Sequence, residues 1–220
     1  MNVLVVAAHP DDELLGVGGT VASHTAKGDR VRVAVMCEGV SSRYSPERDS
    51  EIRKQANEAA RILGVTDLVL GDLPDQRLET LPLTDVTRRV AQLMTDLQPE
   101  LIYTHFAGDI NRDHRVLTEA VLVAARPYAA PSVKKILMFE TPSSTEWGSP
   151  ALTASFQPNV YVDVSEFLER KIAAFSCYSA EVRPSPHPRS PEALADRARY
   201  WGSVINRRCA EAFVLVRSIR

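Results

Sequence analysis

Near the start of the chain, His9-Pro10-Asp11-Asp12-Glu13 sets one imidazole beside three carboxylates directly after an apolar run. Hydrolysis at a zinc ion needs about three N or O ligands, an open position for water, and a nearby carboxylate to take that water's proton. This segment supplies most of that list. In a tight loop at a strand end, His9 and Asp12 can converge on one ion while Asp11, between them, projects toward the water, with Pro10 stiffening the turn. A carboxylate in Asp11's place serves as base at neutral pH and returns the proton to a leaving amine. The third ligand must come from elsewhere, and Asp113-His114 is the natural source, with His114 as the ligand. A ligating imidazole usually donates its other N–H to a carboxylate or carbonyl, a role open to Asp113 or Asp109.

Both clusters follow segments that read as buried strands. Val3 to Ala8 is an uninterrupted apolar run rich in β-branched residues, as in a strand covered on both faces of a parallel sheet. Leu14 to Lys27 reads as a helix stopped by Gly28, with Leu14, Val17, Val21 and His24 at helical spacing; His24 is expected on its surface. Strands over Val31 to Met36, Asp67 to Leu70 and Leu101 to Thr104 then alternate with helices over Ser50 to Leu63, Asp85 to Leu97 and Arg115 to Ala125. Strands over Lys135 to Phe139 and Asn159 to Val164, helices over Phe167 to Cys177 and Glu192 to Trp201, and a last apolar stretch over Ala212 to Arg217 complete the reading. Residues 183–191 hold four prolines and are expected as an ordered loop or flap. The alternation predicts one α/β domain over residues 1–220, a Rossmann-like three-layer fold with a mainly parallel sheet. Ligands of such folds bind beyond the carboxyl ends of the strands, where both polar clusters lie.

Ala8-His9-Pro10-Asp11-Asp12-Glu13 followed by Asp113-His114 resembles the PIG-L or LmbE-like deacetylase family. Glu38-Gly39-Val40-Ser41-Ser42-Arg43, Pro74-Asp75, the stretch from Glu140 through Trp147, and Pro186-His187-Pro188-Arg189-Ser190 are also similar to segments of bacterial members. The resemblance implies a Rossmann-like fold and zinc-dependent removal of acetyl from an N-acetylated amino sugar or its small-molecule conjugate. It implies His9, Asp12 and His114 as zinc ligands and Asp11 as general base. One position departs from the pattern: where many members carry an oxyanion-stabilising histidine three residues before the last ligand, this chain has Asn111. An amide still donates a hydrogen bond but carries no positive charge, so another group is expected to help, from among His105, His187, Arg43 and Arg189. His187, presented between two prolines, is the favoured one. The expected catalytic set is therefore Asp11, Asn111, Asp113 and His187, and the expected substrate contacts are Arg43, Asp75, Trp147 and Arg189.

Blander readings stand beside these. The first motif alone could be a solvated turn leading into a helix whose first turn favours carboxylates, and Asp113 could cap a helix from Arg115. Glu13 is expected to cap the first helix or to brace a ligand, His105 to be either structural or an oxyanion donor, and Asp163 to be a cap or surface carboxylate. With 26 basic against 28 acidic side chains, nothing favours nucleic acid or anionic membranes, so a small solute is the expected partner. Three scattered cysteines without a C-x-x-C pair fit reduced thiols in a cytoplasm, and no segment reads as a membrane span. The Pro-rich loop could close on a neighbouring subunit's pocket, making a homo-oligomer an expectation. Two other functions fit less well: a metal-dependent amidase on another acylated metabolite, and a non-catalytic sugar- or nucleotide-binding module. The latter lacks a G-x-G-x-x-G after the first strand.

Overall fold

The computed structural model describes residues 1–38 and 47–220. The elements are β1 (Asn2–Ala7), α1 (Asp12–Ala26), β2 (Arg30–Cys37), α2 (Glu47–Leu63), β3 (Asp67–Leu73), α3 (Leu83–Leu97), β4 (Leu101–His105), α4 (Arg112–Ala124) and β5 (Lys135–Phe139). They continue with β6 (Val160–Asp163), α5 (Leu168–Phe175), α6 (Pro191–Val204) and β7 (Ala210–Ser218). The described strands form a seven-stranded sheet in the order β3-β2-β1-β4-β5-β7-β6. Its first five strands pair in parallel, and β7 runs antiparallel between β5 and β6. The last apolar stretch of the chain is thus an interior strand, which its length and composition did not reveal.

Alternation along β1 divides the core. Val3 and Val5 face α1, α2 and α5, whereas Leu4 and Val6 face α3 and α4. This is why β1 reads as a continuous apolar run: each face is covered by helices, giving three layers. The strand order reverses at β1, whose neighbours are β2 and β4. Crossovers leave in opposite directions there, opening a crevice beyond the carboxyl ends of β1 and β4. His9 follows β1 and the loop to α4 follows β4, so topology brings the two polar clusters together. No helix of the described residues is long and apolar enough to cross a membrane.

Two local expectations change. Helix α4 starts at Arg112, three residues before the expected Arg115, because Asn111 and not Asp113 caps it, its Oδ1 accepting the Asp113 N–H at 2.9 Å. Asp113 and His114 therefore sit in a rigid first turn. His24 is not a surface residue: its ring bridges Asp29 Oδ2 at 2.7 Å and the Tyr103 hydroxyl at 3.0 Å. Helix α1 is buried from Asp12 through Ser23, with α2 and α5 packed against it, and exposure returns only at Ala26, so the His24 side chain is 12% exposed.

Close packing of α1 on the sheet depends on Gly16. A Cβ there would lie 2.2 Å from Phe139 Cδ2 and 2.8 Å from the Glu140 carbonyl oxygen. Because that oxygen is backbone, Gly16→Ala cannot be absorbed by a rotamer change alone. We expect it to lower stability by about 1–3 kcal/mol, the usual cost of overpacking. Urea unfolding of the variant checks this, and an unchanged midpoint would show that α1 shifts freely.

Candidate metal centre and active site

The loop after β1 is built by its own side chains. Asp12 opens α1, and its Oδ2 accepts the His9 N–H at 2.8 Å. Asp11 between them takes a left-handed backbone, φ 107°, which costs a non-glycine residue roughly 1–3 kcal/mol unless its surroundings enforce it. Here they do: the Asp11 N–H donates to Glu13 Oε2 at 3.1 Å, and Tyr178 donates to Glu13 Oε1 at 3.0 Å. Glu13 is therefore a brace. The reversed backbone sends Asp11 and Asp12 to different partners: Asp12 meets the histidines, and Asp11 Oδ2 meets Arg189 Nη1 at 3.1 Å.

Three donor atoms converge. His9 Nδ1 lies 3.1 Å from Asp12 Oδ2, His114 Nε2 lies 3.2 Å from the same oxygen, and the two nitrogens are 3.2 Å apart. A tetrahedral ion with bonds of about 2.0 Å has ligand-to-ligand edges of about 3.3 Å, so this triangle matches one face of such a site. The donor set fits a divalent metal in both chemistry and spacing.

The outer contacts complete the fit. His9 Nε2 is 2.9 Å from Asp113 Oδ2, and His114 Nδ1 is 3.3 Å from Asp109 Oδ1. The two carboxylates left open by sequence reasoning are thus divided, Asp113 behind His9 and Asp109 behind His114. The second contact is short enough for an ion pair but poorly aligned as a hydrogen bond, so Nδ1 of His114 counts as a buried donor without a well-directed acceptor. Asp113 also accepts backbone N–H groups of Gln76 at 2.7 Å and Leu78 at 3.0 Å. It ties the loop after β3 to His9 and does not line the cleft. Asp109 is held by Asn111 N–H at 2.8 Å, by Thr145 Oγ1 at 2.6 Å and by Ser144 Oγ.

A second grouping, His9, Cys37 and Asp113, also brings donor atoms together. Burial and the neighbouring carboxylates push the Cys37 thiol far up, and Asp113 is already engaged by two N–H groups. Metal binding needs thiolate, so the Asp12 triangle is the better site.

His105 is structural. Its Nε2 accepts the Ala8 N–H at 2.9 Å, which leaves the proton on Nδ1, 3.0 Å from Thr141 Oγ1. Complete burial, reinforced by the charge of His114, holds it well below its ordinary pKa, so its Nε2, 3.6 Å from Asp12, makes no ion pair. Its ring stacks on His114 at 3.9 Å between centroids and fixes that ring's plane. With both nitrogens occupied it is no oxyanion donor.

The cleft above the triangle is walled by His9, Asp11, Asp12, Asp75, Asn111 and Arg189, among others. Asp75 lies on this wall, its Oδ1 3.1 Å from His9 Nε2. Asn111 reaches the cleft while its Oδ1 caps α4. His187 and Trp147 do not line it; they pack edge to face at 6.3 Å, with Trp147 55% exposed. His187 Nδ1 accepts the Arg189 N–H at 3.0 Å, so this histidine shapes the loop and Arg189 points inward instead. The expectation of an oxyanion histidine at 187 is corrected accordingly. Arg43 lies outside the described residues. Sequence reasoning missed Glu181, Tyr178 and the pair Ser143-Ser144 as cleft residues. Only the last had a signal, inside the stretch from Glu140 to Trp147. Asp163 is exposed and accepts the Ser165 N–H at 3.0 Å, as a cap does.

A scan against family models matches residues 4–125 to PIG-L, described as GlcNAc-PI de-N-acetylase. The chain belongs to the PIG-L family. A similar curated protein is the uncharacterized deacetylase YaiS of Escherichia coli, 29% identical over 79% of this chain and 88% of that protein. A probable N-acetyl-alpha-D-glucosaminyl L-malate deacetylase 2 of Bacillus anthracis is 24% identical over 82% of this chain and 81% of its own length. Among solved structures, the conserved protein TT1542 of Thermus thermophilus superimposes with a TM-score of 0.81 at 27% identity, covering 100% of this chain and 96% of that one. The PIG-L match ends near the end of α4, yet Ser143, Tyr178, Glu181 and Arg189 come from beyond it. The matched part supplies the donor triangle, and the part after it closes the cleft.

Electrostatics make ion binding compete with protons. Burial disfavours charge on His9 and His114, but Asp113 and Asp12 raise His9 to about 10, and Asp12 and Asp109 raise His114 to about 9. A ligating imidazole is neutral, so below pH 9 each ion displaces one to two protons and binds more tightly as pH rises. We expect affinity to grow about 10- to 100-fold per pH unit between pH 6 and 8. Competition with a chromophoric chelator measures it; a pH-independent affinity would contradict this assignment of the donors.

Proposed function

We propose that this protein is a zinc-dependent hydrolase that removes the acetyl group from an N-acetylated amino sugar or its small-molecule conjugate. The observation carrying the proposal is the near-equilateral triangle of His9 Nδ1, Asp12 Oδ2 and His114 Nε2, with the Asp11 carboxylate beside it but outside it. A site of this kind needs a metal to hold and a base that is not consumed in holding it. Two imidazoles and one carboxylate suit zinc, and iron(II) or cobalt would accept the same donors.

When bound, the ion supplies Lewis-acid polarisation of the acyl oxygen and acidifies a water. Asp11 takes the proton of the attacking water as the new C–O bond forms at the acetyl carbon. It then delivers that proton to the nitrogen as the C–N bond breaks, giving acetate and the free amine. Burial pushes the Asp11 carboxyl well above the usual carboxylate range, against the pull of Arg189, which suits a group that must both accept and return a proton. Both Asn111 and Asp75 line the same cleft; in this reading the Asn111 amide donates to the acyl oxygen and the Asp75 carboxylate accepts from sugar hydroxyls.

The test is acetate release by zinc-loaded protein from N-acetylglucosamine, diacetylchitobiose and the N-acetylglucosaminyl L-malate conjugate. Release from at least one of them, lost on chelation and restored by zinc, is the expected result. Metal-loaded protein that is inert across the panel would count against the reading.

A further inference from the structure

Asp11 is gripped by a residue far along the chain, beyond the stretch matched to the family model. Arg189 Nη1 donates to Asp11 Oδ2 at 3.1 Å and to Glu181 Oε2 at 2.8 Å, while its Nε donates to Ser143 Oγ at 2.7 Å. Three acceptors from three separate segments thus fix one planar guanidinium, a task that its fork of donors performs and an ammonium does not. The segment that delivers it is itself pinned: His187 Nδ1 accepts the Arg189 N–H, and Ser190 caps α6 through its Oγ to the Ala193 N–H at 3.0 Å. Ser143 is held in turn, since its N–H donates to Glu146 Oε1 at 2.9 Å, and Glu146 meets Arg197 Nη2 at 3.1 Å. The loop with four prolines thus closes over its own chain's cleft.

We propose that Arg189, oriented by Glu181 and Ser143, is a positioning residue that sets the Asp11 carboxylate for proton transfer. This deepens the hydrolase reading and rests on it. Geometry favours this over a role in binding an anionic substrate, because the guanidinium is already shared between two carboxylates and lies only 25% exposed. The opposite side of Asp11 is fixed by the Glu13 contact to its N–H, so the residue is clamped at both its backbone and its carboxylate. With Asn111 unable to carry charge, Arg189 is also, among the described residues, the only guanidinium or ammonium group on the cleft wall.

The experiment compares Arg189→Ala, Arg189→Lys and Glu181→Gln in the full-length, metal-loaded protein, using whichever panel substrate releases acetate. Misplacement of a reacting group by about 1 Å costs on the order of 100-fold, so Arg189→Ala should lose about that factor in kcat. KM should stay within about threefold of wild type, metal content should be unchanged, and added methylguanidine should restore at least about tenfold. Arg189→Lys should recover little, and Glu181→Gln should lose less than Arg189→Ala. A loss confined to KM, a kcat within threefold of wild type, or a loss that methylguanidine does not rescue would each overturn the proposal. A crystal structure of Arg189→Ala supplies a readout independent of turnover. Displacement of the Asp11 carboxylate supports the proposal, and an unmoved carboxylate overturns it, even if the wild type proves inert on the panel and the hydrolase reading itself fails.

Discussion

Asp11→Asn will lower turnover by about 100- to 10,000-fold, the range that general acid–base catalysis contributes, and leave one metal ion bound per chain. The two halves of this result follow from the divergence of adjacent side chains. Asp12 points to both histidines, whereas Asp11 points to Arg189 and the cleft, so removing the Asp11 charge takes nothing from the donor triangle. Asparagine suits the test because, with aspartate, it tolerates positive φ better than most residues bearing a Cβ and keeps the shape of the side chain, so the loop at φ 107° survives. What it lacks is the ability to accept a proton. Acetate release together with metal analysis checks both halves. Activity within tenfold of wild type would move the base to another residue, and loss of metal would put Asp11 among the ligands.

Lys171→Met will cost about 3–5 kcal/mol of stability, the usual penalty for leaving one member of a buried ion pair without its partner. Lys171 Nζ lies 2.6 Å from Glu211 Oε1 and donates to the Leu15 carbonyl at 2.9 Å, and both side chains are almost fully buried. Glu211 also accepts the N–H groups of Gly19 at 2.9 Å and Thr20 at 2.7 Å, inside α1. This approach to the helix backbone needs a glycine: a Cβ on Gly19 would sit 3.0 Å from Val164 Cβ and 3.3 Å from Glu211 Oε1. The pair therefore fastens α5 and β7 to the helix whose first residues form the metal loop. Urea unfolding measures the loss. A change below about 1 kcal/mol would mean that Glu211 finds another compensation, since surface pairs are typically worth no more than that.

The reach of the sequence differs between the two polar clusters. The order of strands and helices through β5 was legible because apolar runs and helical periods are local signals. So was the link between His9, Asp12 and His114, since strand ends of a parallel sheet share one edge. The assignment of Asp113 to His9 and Asp109 to His114 was not, because both carboxylates lie near His114 in sequence and only the rotation of the first turn of α4 separates them. That rotation depends on Asn111 capping the helix, a competition among Asp109, Asn111 and Asp113 that spacing could not decide.

His105 and His187 show the same limit from the other side. Each looked suited to an oxyanion by residue type. Each instead uses a ring nitrogen to accept a backbone N–H, His105 from Ala8 and His187 from Arg189. Such a hydrogen bond is invisible until two distant segments meet. By itself the sequence determined the sheet's parallel half, the residue types that meet in the His9, Asp12 and His114 cluster, and the reaction type, because local patterning and donor chemistry suffice for these. Tertiary structure alone decided which carboxylate backs which imidazole, and that Arg189, 178 residues along the chain from Asp11, reaches it, because directed contacts depend on angles and approaches that arise only when separate elements pack.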